Sequence, residues 1–146
     1  MTEAVWHRLL CHMAQNPRTT YAADNPALAA RVEEGVPVLD VVAFGKEVGF
    51  TAEEMAMLIQ MPSRTYARRV AGKSRLKLDE GERAVRIMRI YELARQALGT
   101  NERTRRWLSR PLRVLGGRTP LDFARTEPGA REVEAVLGRF EEGVYS

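Results

Sequence analysis

The amino-acid sequence predicts an all-α fold. Three observations carry that expectation. Apolar residues recur every three or four positions, the period of a helix face, and no segment alternates with a strand's period of two. Threonine or aspartate stands where such segments begin, and Thr51 and Asp79 are each followed three residues on by a glutamate, as in a capping box. Glycine stands where they end, suited to the left-handed backbone at a helix C-terminus.

Residues 1–25 are weakly patterned. Val5, Leu9, Leu10 and Met13 have helical spacing, but Asn16-Pro17 and Asp24-Asn25-Pro26 interrupt the chain, so this is read as a partly mobile N-terminal arm. Residues 27–34 form a helix that Gly35 ends. Leu39, Val42, Ala43 and Val48 are the expected buried stripe of the next helix, closed by Gly49. Thr51 and Glu54 make a capping box for a helix whose apolar face is Met55, Leu58 and Ile59. Gln60-Met61-Pro62 is a tight turn, and residues 63–71 form a second short helix stopped at Gly72.

Asp79 with Glu82 opens the longest helix, about residues 79–98. Its stripe is Ala84, Ile87, Tyr91, Ala94 and Leu98, widened by Val85, Met88 and Leu93. Gly99 ends it. Asn101 starts a short helix carrying Trp107 and Leu108, which stops before Pro111, and Gly116-Gly117 is a turn. Thr119-Pro120 opens another short helix, with proline at its favoured first position. Thr126 caps the last helix, whose buried face is Ala130, Val133, Leu137 and Phe140 and which Gly143 ends.

The 146 residues suffice for one domain or two small ones, and 45% hydrophobic content can fill a core. Cys11 is the sole cysteine, which excludes an internal disulfide and fits a reducing compartment. No apolar run is long enough to span a bilayer, and the first residues lack a signal-peptide pattern. A cytoplasmic protein with no membrane partner is expected.

The net charge of +4 is unevenly spread. Residues 1–63 hold 4 basic and 8 acidic side chains, residues 64–118 hold 16 and 5, and residues 119–146 hold 3 and 6. A basic middle between acidic ends suggests a phosphate-binding face; a solvated arginine-rich surface is the plainer alternative. The excess begins inside the second of two short helices, residues 51–72, that have helix-turn-helix proportions. Tyr66 and Val70 can face the core, leaving Arg64, Thr65, Arg68 and Arg69 largely outward. Arginine binds guanine bidentately, threonine meets a thymine methyl or a phosphate, and Lys73 and Arg75 follow at the helix exit. Arg83, Arg86 and Arg89 either extend this surface or pair with Glu82 or Glu92.

An ordered set of motifs over residues 35–146 resembles the Xre/MbcA/ParS-like antitoxins paired with RES-domain toxins. It runs from Val48-Gly49-Phe50-Thr51 through Arg64-Thr65, Arg68-Arg69, Arg75-Leu76, Glu80, Arg83 and Arg86. It continues with Trp107-Leu108, Pro111 and 115–121, Leu-Gly-Gly-Arg-Thr-Pro-Leu. Thr126-Glu127, Gly129-Ala130, Val133-Glu134 and Leu137-Gly138-Arg139 lead to Gly143-Val144-Tyr145-Ser146. Met61-Pro62 departs from the pattern, where a glycine-containing turn is commoner, and residues 1–25 match nothing in it.

The resemblance implies an Xre/Cro-like helix-turn-helix DNA-binding half, residues 26–98, and a small helical toxin-binding half, residues 99–146. It implies an antitoxin that blocks a RES-domain toxin consuming NAD⁺ and represses its own operon. Arg64, Thr65, Arg68, Arg69 and Lys73 are the expected DNA contacts. Arg139, Glu142, Gly143, Val144, Tyr145 and Ser146 are the expected toxin contacts. Tyr145 lies past the last helix and would supply an anchor of the type enriched at interface hot spots. A homodimer is expected, because such proteins read paired half-sites. The alternative is a stand-alone helix-turn-helix regulator whose C-terminal module dimerises or binds another partner.

No enzyme, cofactor or metal is expected. His7, Cys11 and His12 are too few for a zinc site, and no cleft accompanies them as a catalytic pair. Gly116-Gly117 lacks the spacing, lysine and preceding strand of a phosphate loop.

Overall fold

The computed structural model describes residues 26–141, with side chains from 28 to 140. The predicted N-terminal arm, including His7, Cys11 and His12, lies outside the described residues. So do the glycine that was to end the last helix, Gly143, and the chain beyond it.

The fold is all-helical. The described residues form α1 (Pro26–Glu34), α2 (Val38–Val48), α3 (Ala52–Leu58), α4 (Ser63–Ala71), α5 (Leu78–Leu98), α6 (Asn101–Leu108), α7 (Pro120–Phe123) and α8 (Glu127–Glu141). A single 3₁₀ turn, Arg113–Leu115, lies between α6 and α7. No strand occurs among them, only isolated bridges Pro37–Arg75 and Leu112–Arg118. The chain divides into two compact units, Met1–Met57 with Met61–Glu82, and Leu58–Gln60 with Arg83–Ser146. The division falls inside α5.

The first unit packs Leu28 and Val32 of α1, Val38, Val41, Phe44 and Val48 of α2, Met55 and Ala56 of α3, and Tyr66 of α4. The expected phase of α2 was off by one residue. Pro37 sets the helix start, so the stripe begins at Val38 and runs through Val41, Phe44 and Val48, while Leu39 is 43% exposed. One residue of offset rotates a helix face by about 100°. Gly49 ends α2 at φ +84°, as its position predicted.

The capping box before α3 forms in both directions. Thr51 N–H donates to Glu54 at 2.7 Å and Glu54 N–H to Thr51 Oγ1 at 3.1 Å. The α3–α4 turn places Gln60 at φ +56°, and Met61 N–H returns to the Ala56 carbonyl. The start of α5 differs from the expected Asp79–Glu82 pair. The helix begins at Leu78, so the carboxylate that reaches back is Glu80, whose Oε1 accepts the Lys77 N–H at 2.8 Å.

The second unit packs the inner face of α5, including Ala84, Ile87, Met88, Tyr91 and Ala94, with Leu108, Leu121, Ala130, Val133 and Leu137. Thr100 caps α6 by accepting the Arg103 N–H, a cap the sequence reading had not named. Thr119 and Thr126 cap α7 and α8 as expected, through Asp122 N–H and Gly129 N–H. Trp107 meets Phe140 edge-on at 5.9 Å, which ties the end of α8 to α6. Thr126 sits three residues after the one-turn α7 ends, so α8 starts hard against it. A Cβ on Gly129 would overlap the Phe123 carbonyl oxygen.

Gly129→Ala should therefore destabilise the protein by about 1–3 kcal/mol, because rigid backbone would have to move. Gly138→Ala is the control on the same helix, with nothing within 4 Å of the new atom. It should be neutral or stabilising by up to about 1 kcal/mol. Urea denaturation midpoints of the two variants check this, and similar losses for both would contradict the packing described.

Candidate functional site

On α4, burial divides the residues into two faces. Tyr66 is buried, and Thr65, Arg69 and Val70 are half-buried beside it. Arg64, Ala67, Arg68 and Ala71 are exposed, at the i, i+3, i+4 and i+7 spacing of one helix face. Two arginines with two small residues between and after them give a surface that can approach a groove closely. Lys73 is exposed two residues past the helix, with its backbone at φ +50°.

Arg69 has a different place from Arg64 and Arg68. Its guanidinium contacts the Glu80 carboxylate at 3.2 Å, and that carboxylate is nearly buried. Glu80 thus holds the start of α5 through Lys77 and the last turn of α4 through Arg69. Arg69 acts from within the unit, fixing the helix that carries Arg64 and Arg68. Arg75 donates to the Gly35 carbonyl at 2.7 Å. Of the five expected DNA contacts, Arg64, Arg68 and Lys73 are exposed, Thr65 sits at the edge of the face, and Arg69 is paired.

In the second unit the arginines of α5 turn to protein partners. Arg83 donates to the Ile59 carbonyl at 2.7 Å. Arg86 contacts Glu127 at 3.0 Å and the Arg125 carbonyl at 2.9 Å. Arg89, only 5% exposed, lies between Glu134 at 2.9 Å and Glu127 at 3.2 Å. The carboxylates that pair with Arg86 and Arg89 come from α8, some 40 residues on, rather than from Glu82 or Glu92. Glutamates at 127 and 134 are seven apart and so share a helix face, a signal the sequence held but which has no meaning until α8 is docked.

This network shifts its two carboxyls in opposite directions. Burial pushes Glu134 up, and Arg89 offsets that only in part. Burial also acts to raise Glu127, but Arg89 and Arg86 together outweigh it and hold this carboxyl below its ordinary value. Arg139 is half-buried in the last turn of α8. Glu142, Gly143, Val144, Tyr145 and Ser146 lie outside the described residues. Among the described residues, no cluster of three or more histidine, cysteine, aspartate or glutamate side chains is arranged to hold a metal, and no helix is long and apolar enough to cross a membrane.

Comparison with known proteins finds a family match to each of two consecutive stretches of the chain. Residues 27–89 match the antitoxin Xre-like helix-turn-helix domain. Residues 93–143 match the antitoxin Xre/MbcA/ParS C-terminal toxin-binding domain. Over 126 residues the chain is 32% identical to an antitoxin Xre of Photorhabdus laumondii, covering 86% of this chain and 85% of that protein. An antitoxin Xre of Yersinia enterocolitica is 37% identical over 87 residues, 59% of each chain. Another, from Pseudomonas putida, is 29% identical over 126 residues, 82% of this chain and 78% of the relative.

The buried and exposed arginines should respond differently to removal. Arg89→Met leaves the half-buried Glu134 without its guanidinium partner, while Glu127 keeps Arg86, and should cost about 3 kcal/mol. Arg106→Ala breaks only an exposed pair with Glu102 and should change stability by less than about 0.5 kcal/mol. A pH series adds the sign. Glu127, with its lowered folded value, stabilises fully above the ordinary 4.5 and loses that contribution as the pH falls through the folded value. Glu134, with its raised value, favours the fold in acid and loses that contribution as the pH rises. The stability gap between the parent and Glu127→Gln should thus be widest near neutrality and close below pH 4.5. Thermal melts at several pH values measure it, and a gap that widens in acid would refute the assignment.

Proposed function

The chain belongs to the Xre/MbcA/ParS antitoxin family, with a helix-turn-helix domain and a C-terminal toxin-binding domain, and we propose that it neutralises a RES-domain toxin that degrades NAD⁺ and represses its own operon in the cytoplasm. The observation that carries the DNA half is the exposed face of α4, where Arg64 and Arg68 flank Ala67. In a major groove, arginine can contact guanine O6 and N7 with two parallel hydrogen bonds. Thr65 and Lys73 border that face and suit phosphates, which fix register without reading sequence. Arg69 supports the reader through Glu80. The operator is read by a homodimer, since paired half-sites one helical turn apart need two such helices.

The toxin half rests on the C-terminal domain and on the motif order that the sequence shares with RES-paired antitoxins. Arg139, Glu142, Gly143, Val144, Tyr145 and Ser146 form the centre of the blocking surface. Tyr145 is its aromatic anchor, and Arg139 offers a positive charge to the toxin. A stand-alone regulator is the weaker reading, because a toxin-binding domain covers residues 93–143.

Two experiments test this function. Arg68→Ala should weaken operator binding by about 1–3 kcal/mol if it reads a base, and leave toxin neutralisation intact. Unchanged operator affinity for the Arg64→Ala, Arg68→Ala double variant would reject α4 as the reader. Deletion of residues 143–146, with Tyr145→Ala in parallel, should preserve folding and DNA binding. NAD⁺ in cells co-expressing a RES-domain toxin should then fall. Full protection by the truncated chain would move the block onto the helices.

A further inference from the structure

The basic excess of the middle of the chain does not lie on one element. Arg83, Arg86 and Arg89 are taken up by carbonyls and by Glu127 and Glu134. What remains exposed in the second unit is a separate group, between residues 99 and 118, where six arginines face one acidic residue, Glu102.

Three of these arginines, Arg103, Arg106 and Arg110, share one side of the helix and its exit, and Arg113 follows them in the chain. Thr104 and Leu108 are the buried face of α6, so Arg103 and Arg106 stand on its outer side, three residues apart. The chain keeps a near-helical course past the helix end, with Ser109 at φ −99°, ψ 2° and Arg110 N–H bonded to the Trp107 carbonyl. Arg110 therefore continues the stripe at i+7 from Arg103. Arg113 opens the 3₁₀ turn that follows. Arg103, Arg110 and Arg113 are exposed, and none joins an ion pair among the described residues. Arg106 has only Glu102, with both side chains more than 70% exposed, a pair worth little in water.

We propose that these four arginines are a phosphate-binding surface of the second unit that contacts the backbone of duplex DNA. Like charges three apart on a helix destabilise it, so the arrangement is best satisfied by an external polyanion. Arginine's planar fork suits phosphate oxygens, whose spacing along a strand needs no fixed pocket. An acidic protein surface is the competing partner. Residues 103–113 lie within the matched toxin-binding domain, so the toxin-protection arm of the test below separates that partner from DNA. The proposal rests on the reading that this antitoxin binds DNA. It adds a second footprint, which holds whichever sequence α4 reads.

The test uses the full chain and a mixed-sequence duplex, with binding followed by fluorescence anisotropy across a range of salt. The variants are Arg103→Gln with Arg110→Gln and Arg113→Gln, and separately Arg64→Ala with Arg68→Ala. The triple variant should melt like the parent, bind the duplex roughly tenfold more weakly, and flatten the log–log salt slope by about 2–3 units. It should still protect cells from the co-expressed toxin. The same affinity and slope as the parent would overturn the proposal. Intact DNA binding with lost toxin protection would also overturn it, by assigning the surface to a protein. An unchanged Arg64→Ala, Arg68→Ala variant would instead remove α4 as the reader and leave the second surface standing.

Discussion

A guanidinium is not buried without partners, because removing its charge from water costs several kcal/mol that only paired oxygens can offset. That rule sorts the arginines of this chain. Arg89 is enclosed in the second unit and needs both Glu134 and Glu127. Arg86 shares Glu127 and adds the Arg125 carbonyl just before α8. These bonds fix the register of α8 against α5. They do so by direction and charge, where the apolar contacts of Val133 and Leu137 alone would permit sliding. In the first unit, Arg69 with Glu80 does the same for α4. Helices α4 and α8 are thus each held by an internal arginine–glutamate contact, and Arg64 and Arg68 are left facing outward.

Glycine and threonine supply the complementary constraint, which is close approach and clean ends. Gly129 lets α8 start against the Phe123 carbonyl, and Thr126 and Thr119 satisfy the first amides of α8 and α7. Helices this short gain little from intrinsic propensity, so caps and packing decide whether they form. α7 is a single turn, yet Pro120 and Leu121 are buried and its cap is made. Stability in this region comes from packing around a short, tightly defined corner.

Much of this was legible in the sequence. Every described helix was expected, and the described ends that were named fall within a residue or two, because cap threonines, terminal glycines and apolar spacing are local signals. The family was legible too, from the order of its motifs. What could not be read was where a side chain points once two helices are docked. The phase of α2 turned on whether Val38 or Leu39 began the helix, a choice made by Pro37 and the core beneath it. Glu80 rather than Glu82 capped α5 because the helix starts one residue earlier than Asp79. Arg69 looked like a surface residue, and Arg86 and Arg89 like surface residues or partners of Glu82 or Glu92, since their partners, Glu80, Glu127 and Glu134, lie 11 to 45 residues away. Sequence spacing within one helix cannot reveal a partner on another.

The central claim is that inward arginines hold the fold and outward ones bind phosphate. Arginine reactivity towards a dicarbonyl reagent, mapped by mass spectrometry with and without operator DNA, tests it directly. Arg64 and Arg68 should react in the free protein and be protected by DNA, while Arg86 and Arg89 should stay unreactive in both states. Ready modification of Arg89 in the free, folded chain, or undiminished modification of Arg64 and Arg68 on DNA, would contradict the account.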